Sequence, residues 1–146
     1  MEGRFYKGSE FPEFPHCFVC GQSNPHGLRT RFFPDGQQGV KAIFTPDKSH
    51  VGYEDAVHGG ILSALLDEAI IWATYASTGR FGVTAELLVR FLRPLTVGKT
   101  CTVLGRMKED KGKLWIAESE IIDDAGNVLV KAEGKVIPIK QGLKER

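Results

Sequence analysis

The stretch from His58 to Thr78 constrains the fold of this chain more than any other stretch does. From Ile61 onward its apolar side chains recur every three or four residues and spread nearly all the way round a helix, which predicts an α-helix buried on most sides. No proline interrupts the stretch, and Gly79 stands where a glycine would end the helix. The sequence therefore predicts one long central helix against which the rest of the chain packs.

Asp67 and Glu68 are the only carboxylates in this apolar stretch. A carboxylate on a mostly buried helix is costly unless it is paired, hydrated or takes part in chemistry. Asp67 is therefore a candidate catalytic residue, although it could also lie on a narrow stripe that faces solvent. Glu68 lies one step round the helix, points elsewhere and is expected to be structural.

The whole chain has the size and composition of a single globular domain spanning residues 1–146, with 42% hydrophobic residues. Its 19 basic and 18 acidic residues give a net charge of +1, which favours neither a nucleic-acid partner nor an acidic tail. The first residues lack the apolar core of a signal peptide, and carboxylates break the longest apolar stretch, so we expect a cytoplasmic protein without a membrane segment. Three cysteines without an export signal favour reduced thiols.

Short β-favouring runs flank the helix. Residues 28–33 and 39–45 are joined by a Pro-Asp-Gly turn, which predicts a hairpin, and 46–57 is expected to be a polar loop. After Gly79 the pattern changes to period two in four further runs, 84–91, 100–108, 113–122 and 128–139. The predicted class is α+β: an antiparallel sheet of about five to six strands wrapped around one central helix, preceded by an irregular segment over 1–27.

The irregular segment contains a C-x-x-C pair, Cys17 and Cys20, with His16 and His26 nearby. These residues could form part of a zinc site, but a structural zinc site needs four ligands and no second C-x-x-C pair follows. A redox pair would ordinarily lie in a βαβ setting, which is not predicted here. We therefore expect a structural loop without bound metal, unless a dimer pools ligands from two chains.

Three features follow one another in a specific order: HGG opening the helix, Asp67 within HGGILSALLDEA, and the strand TAELLVRFLRP beginning at Thr84. In this order and spacing they resemble the hotdog-fold acyl-CoA thioesterases, in particular the PaaI-like branch of the 4-hydroxybenzoyl-CoA thioesterase superfamily. The resemblance covers residues 27–138, and CFVCGQSNPHGL resembles a lead-in found in part of that branch. It implies a hotdog fold and hydrolysis of an acyl-CoA to a carboxylic acid and CoA, without metal or cofactor.

The resemblance also implies a role for each matching residue. The backbone N–H of Gly59, helped by the helix dipole, would polarise the thioester carbonyl, and Gly60 would lie against the substrate. Asp67 would act as general base for a water or as nucleophile forming a mixed anhydride. Thr84 would orient the water, or is an ordinary β-branched strand residue. His58 would position the helix start, with direct proton transfer as the alternative.

Other positions are less specific. Several members of the family carry an Asn shortly before HGG, and residues 51–57 contain none. Asp55 or Glu54 could replace it, although carboxylates in loops are commonly just solvated. Arg90 and Arg93 could bind the CoA phosphates because Arg contacts phosphate with two N–H groups at once, or they could merely flank the strand.

The spacing of Gly59 and Asp67 predicts assembly. Eight positions at about 1.5 Å each separate them by roughly 12 Å along the helix axis, and one thioester carbon cannot lie about 3 Å from both. A shared site would combine Gly59 of one chain with Asp67 of another, which predicts a homodimer, and we further expect a homotetramer built as a dimer of dimers.

Two alternative functions remain open for a chain with this sequence. One is a noncatalytic acyl-CoA sensor, and the other is a hydratase or dehydratase, which typically pairs a His with an acid in a different arrangement.

Overall fold

A computed structural model describes residues 11–140 of the chain. Within this range one long helix, α1 (Gly59–Thr78), and a short 3-10 helix, Lys48–His50, accompany eight strands. The strands are β1 (Phe33–Asp35), β2 (Gly39–Phe44), β3 (Val51–Tyr53), β4 (Ala56–Val57), β5 (Gly82–Phe91), β6 (Cys101–Asp110), β7 (Trp115–Ile122) and β8 (Val128–Pro138). Six of them form one antiparallel sheet in the order β1-β2-β6-β7-β8-β5, while β3 and β4 pair separately. The predicted sheet around one central helix is confirmed.

Helix α1 is buried on nearly every side, as its apolar pattern predicts. From Ile61 to Thr78 none of its residues is exposed. The sheet approaches the helix closely because glycines face it: a Cβ atom on Gly105 of β6 would lie 2.5 Å from the carbonyl oxygen of Ala69. The helix and the inner face of the sheet therefore form one continuous core.

Both ends of α1 have specific caps. Gly79 adopts the left-handed conformation, with φ of 74°, and its N–H donates to the Tyr75 carbonyl at 2.7 Å, so the predicted glycine stop is confirmed. At the other end His58 is the N-cap residue. Its N–H donates to the carbonyl of His50, so the 3-10 helix preceding β3 anchors the start of α1.

The outer face of the sheet is solvated. Strands β6, β7 and β8 alternate buried and less buried residues along most of their length, which confirms the period-two pattern. Outward-facing side chains form exposed ion pairs, including Lys108 with Glu133 at 2.7 Å and Arg106 with Glu118. Exposed pairs of this kind add little stability, so the fold depends on the buried face.

Two predicted segments differ in the structure. The first strand was expected over 28–33, but β1 begins at Phe33 and includes Pro34, and the turn falls on the residues that follow it. Proline is tolerated in β1 because it is an edge strand, which has a neighbouring strand on one side alone. Residues 46–57, predicted as a polar loop, contain secondary structure: the Asp47 side chain caps the 3-10 helix, and β3 and β4 form a small hairpin.

Candidate active site

The start of helix α1 forms the first half of the candidate site. The Nδ1 atom of His58 accepts the N–H of Gly60 at 2.8 Å, and the N–H groups of Ile61 and Leu62 donate to the His58 carbonyl. The N–H of Gly59 has no acceptor among residues 11–140. The N-terminus of the helix, where the helix dipole is positive, thus presents one available donor.

Gly59 lies close to the end of strand β5. A Cβ atom there would lie 3.3 Å from two ring atoms of Phe91, at the end of that strand. Phe91 itself is 53% exposed. The helix start therefore lies beside an accessible aromatic side chain at the edge of the sheet.

Asp67 and Thr84 form the second half of the candidate site. Thr84 Oγ1 donates to Asp67 Oδ1 at 2.6 Å, and both side chains are half-buried. A hydrogen bond to a carboxylate of this length is among the stronger polar contacts in proteins. It ties the middle of α1 to β5, an edge strand of the sheet.

A β-bulge makes the contact between Asp67 and Thr84 compatible with the rest of β5. The pairing of β5 with β8 shifts register between Thr84 and Glu86. Because the bulge inserts one residue, Thr84 and Leu87 are both half-buried although they are three positions apart. A regular strand would place them on opposite faces.

The remaining residues that the sequence singles out lie apart from the pair of Asp67 and Thr84. Gly59 precedes Asp67 by about two helical turns on the same helix. Arg90 and Arg93 are exposed at the end of β5 and just beyond it. The structure therefore divides the predicted site into the helix start and the pair of Asp67 and Thr84.

The two loop carboxylates also lie on the surface. Glu54 and Asp55 are exposed in the turn between β3 and β4, where Glu54 has a positive φ of 52°. The Asp55 carbonyl accepts the N–H of Val97 at 2.9 Å, which is a backbone contact and leaves the carboxylate in solvent. Their exposure matches the reading of these residues as solvated loop carboxylates.

A third cluster was missed by sequence reasoning. The side chains of Cys17 and Cys20 lie against Glu68, whose Oε2 atom also accepts the indole N–H of Trp72 at 3.0 Å. Burial raises the pKa of Glu68 to about 7, and the hydrogen bond with the Cys20 thiol lowers the pKa of Cys17 to about 5. No spacing signal could reveal the cluster, because Glu68 is 51 positions from Cys17.

The sequence matches the Thioesterase superfamily over residues 55–130, more than half of its 146 residues. The matched segment contains α1, Asp67 and Thr84. The chain therefore belongs to the thioesterase superfamily.

In the part of the chain that the structure describes, no helix is both long and apolar enough to cross a membrane.

Two fungal proteins are similar to this chain. An uncharacterized protein of Schizosaccharomyces pombe is 30% identical over 91 residues, which is 57% of this chain and 52% of that protein. MIOREX complex component 3 of Saccharomyces cerevisiae is 32% identical over 91 residues, 61% of this chain and 34% of that protein. The chain thus matches about half of one relative and a third of the other.

Solved structures share the fold. A crystal structure of a thioesterase superfamily protein superposes with a TM-score of 0.78 at 26% identity, covering 84% of this chain and 63% of that one. The E. coli PaaI protein, from the phenylacetic acid degradation operon, has a TM-score of 0.72 at 21% identity, covering 77% and 81%. A Streptococcus mutans protein bound to acetyl-CoA has a TM-score of 0.69 at 18% identity, covering 77% and 90%. The architecture is the hotdog fold.

Proposed function

We propose that this protein is an acyl-CoA thioesterase of the PaaI-like branch, which hydrolyses a thioester to a carboxylic acid and CoA. The observation that carries the proposal is Asp67, a half-buried carboxylate on the central helix that accepts a 2.6 Å hydrogen bond from Thr84. Membership in the thioesterase superfamily supports a hydrolase. The acetyl-CoA bound to a protein of the same fold supports a CoA thioester as the ligand.

The geometry of the helix start supports Gly59 as the oxyanion donor. His58 Nδ1 already accepts the N–H of Gly60, so the N–H of Gly59 is the one that remains for a thioester oxygen. Developing negative charge on that oxygen would be stabilised by the positive end of the helix dipole. His58 then acts as the cap that shapes the site. Gly60 would let the substrate lie close to its backbone but would not donate a hydrogen bond to it.

Asp67 would supply the carboxylate for either form of the reaction. As general base it takes a proton from water while the water oxygen attacks the thioester carbon, and the departing CoA thiolate is protonated as the C–S bond breaks. As nucleophile it forms a mixed anhydride, releases the thiolate, and is regenerated when water hydrolyses the anhydride. In both forms Thr84 holds one carboxylate oxygen in place, and the second oxygen does the chemistry.

The proposal includes a homodimer with shared sites, because Gly59 and Asp67 are too far apart on one helix to contact the same thioester carbon. Strand β5 supports this arrangement. It is an edge strand of the six-stranded sheet and carries exposed apolar side chains at Val83, Leu88 and Phe91. An exposed apolar edge is a site where another chain can add its own strand, and here that chain would approach Thr84 and Gly59 together.

The test is a screen of short, long, branched and aromatic acyl-CoAs in which the released thiol is detected. Wild type is compared with Asp67→Asn, which keeps the shape of the side chain and removes the base or nucleophile. Glu109→Gln, at an exposed carboxylate on β6, is the matched control and should retain wild-type turnover. We expect Asp67→Asn to lower kcat by several orders of magnitude, whereas binding of a non-hydrolysable acyl-CoA analogue survives.

Two outcomes would overturn the proposal. Near wild-type turnover in Asp67→Asn would remove Asp67 from the chemistry. Tight binding of acyl-CoA by the wild type, without hydrolysis of any member of the panel, would instead identify a noncatalytic acyl-CoA sensor on the same fold.

A further inference from the structure

The N-terminal loop places two thiols against a carboxylate of the central helix. The Sγ atoms of Cys17 and Cys20 and a carboxylate oxygen of Glu68 all lie within 4.8 Å of one another, and the three side chains are half-buried. His16 and His26, which flank the cysteines in sequence, are exposed and are not part of this cluster. The third side chain of the cluster, Glu68, therefore comes from helix α1 and not from the loop.

The loop is shaped by a tight turn around the first cysteine. Cys17 Sγ accepts the N–H of Cys20 at 3.4 Å, and the N–H of Gly21 donates to the Cys17 carbonyl at 2.9 Å. A Cβ atom on Gly21 would lie 2.5 Å from backbone atoms of Cys17, so only glycine fits this position. After this turn the chain runs back beside the cysteine segment, and the N–H of Leu28 donates to the Phe18 carbonyl at 2.8 Å. The turn holds both thiols on the side that faces Glu68.

Glu68 is held in position from its own helix. The indole N–H of Trp72, one turn further along, donates to Glu68 Oε2 at 3.0 Å. Trp72 is buried and stacks on Phe11 with ring centroids 4.8 Å apart, so the indole cannot easily turn away. Carboxylates that bind metals are commonly oriented by such a donor. The Cys17 sulfur and the Trp72 indole that contact Glu68 carry no positive charge, and a cation between the two sulfur atoms and the carboxylate would supply it.

We propose that Cys17, Cys20 and Glu68 bind one Zn²⁺ ion, with water as the fourth ligand. Zn–S bonds of about 2.3 Å and Zn–O bonds of about 2.1 Å at tetrahedral angles place sulfur and oxygen ligands about 3.6 Å apart. The Cys17 Sγ atom lies 3.6 Å from Glu68 Oε2. Two sulfur ligands select zinc over magnesium or calcium, and both cysteines would bind the ion as thiolates.

The ion would join the loop to α1 and thereby fasten the N-terminal segment to the domain. The sequence-based expectation of a loop without metal considered the two cysteines, the neighbouring His16 and His26, a second C-x-x-C pair and ligands pooled by a dimer. The structure supplies a ligand from 51 positions away instead. This inference is independent of the acyl-CoA hydrolysis proposed above, since none of the three ligands is assigned a part in that reaction.

The first experiment measures metal content. The full chain is purified without chelator in a phosphine reductant, its three cysteines are titrated to confirm that they are reduced, and zinc is measured by elemental analysis. We expect about one zinc per chain. Replacement by Co²⁺ should give the sulfur-to-cobalt charge-transfer absorption of a thiolate site.

Variants locate the ion. Cys17→Ser and Glu68→Gln should each weaken zinc binding by at least about 100-fold, since loss of an orienting partner alone costs about 10- to 100-fold. Cys101→Ser, at a buried cysteine on β6, and Asp67→Asn, at the adjacent carboxylate, are the matched controls and should keep the metal. A strong chelator should lower the Tm of wild type by about 5 °C and leave the Tm of Cys17→Ser unchanged.

Each contrary result overturns the inference. Zinc below about 0.1 per chain in fully reduced protein that also takes up no Co²⁺ excludes the site. Full zinc occupancy and affinity in Cys17→Ser would place the ion elsewhere, and the same result in Glu68→Gln would remove the third ligand. Circular dichroism checks that each variant is folded, and Glu68→Gln carries the test if Cys17→Ser does not fold.

Discussion

The proposed division of the site between two chains can be tested by mixing two variants that are expected to be inactive. Gly59→Pro removes the backbone N–H that we assign to the thioester oxygen. The substitution fits the backbone, because proline is favoured at the first position of a helix and His58 before it has φ of −59° and ψ of 134°, a conformation that a residue preceding proline readily adopts. Loss of one such donor should lower kcat by about 100- to 1000-fold.

The second variant, Asp67→Asn, removes the carboxylate. If Gly59 of one chain and Asp67 of the other form each site, a mixed dimer has one site with both lesions and one site with neither. Random reassortment makes half of the dimers mixed, and half of their sites are intact, so activity should recover to roughly a quarter of wild type. If each site lay within one chain, every site would carry a lesion and no activity would return.

The assay co-refolds the variants in equal amounts and measures thiol release from the best acyl-CoA of the panel. Different affinity tags on the two variants allow mixed dimers to be purified, and these should reach about half of wild-type activity. Gly59→Ala is the control that keeps the N–H, although its Cβ atom would lie 3.3 Å from the Phe91 ring, which must yield slightly. Purified mixed dimers without activity, formed from two folded variants, would refute the shared site.

Three further predictions concern single substitutions. Thr84→Val removes the 2.6 Å hydrogen bond to Asp67 and should lower kcat by about 10- to 100-fold, whereas Thr84→Ser should keep most activity; equal loss in both would show that packing and not the hydroxyl matters. Leu88→Asp, at a position 63% exposed on β5, should convert the proposed dimer to folded monomers in sedimentation velocity, and a dimer that persists in this variant would exclude this edge as the interface. Gly105→Ala should lower the free energy of unfolding by about 1–3 kcal/mol in urea titration, since its Cβ atom would meet the backbone of Ala69 at 2.5 Å; wild-type stability would contradict the close packing of α1 on β6.

The architecture could be predicted because its signals are local. The period of apolar residues along α1, the glycine at position 79 and the alternation along the C-terminal strands each report the surroundings of one segment, and together they predicted a sheet around a buried helix. The same local reasoning misplaced β1, because a Pro-Asp-Gly sequence is a turn signal in most settings and Pro34 is tolerated only because β1 lies at an edge. The pairing of β3 with β4 was missed because strands of three and two residues are too short to show periodicity.

The sequence by itself determined the central helix, the strands that follow it and the candidate residues Gly59, Asp67 and Thr84. Tertiary structure decided what those residues touch. The contact between Asp67 and Thr84 needs a bulge in β5, and a bulge depends on pairing with β8, which no pattern within β5 encodes. Glu68 likewise contacts Cys17 and Cys20, which lie 51 and 48 positions earlier, because the N-terminal loop folds back over the helix. Side-chain periodicity records burial, whereas contacts between distant segments depend on strand register and close packing, and only the folded chain specifies these.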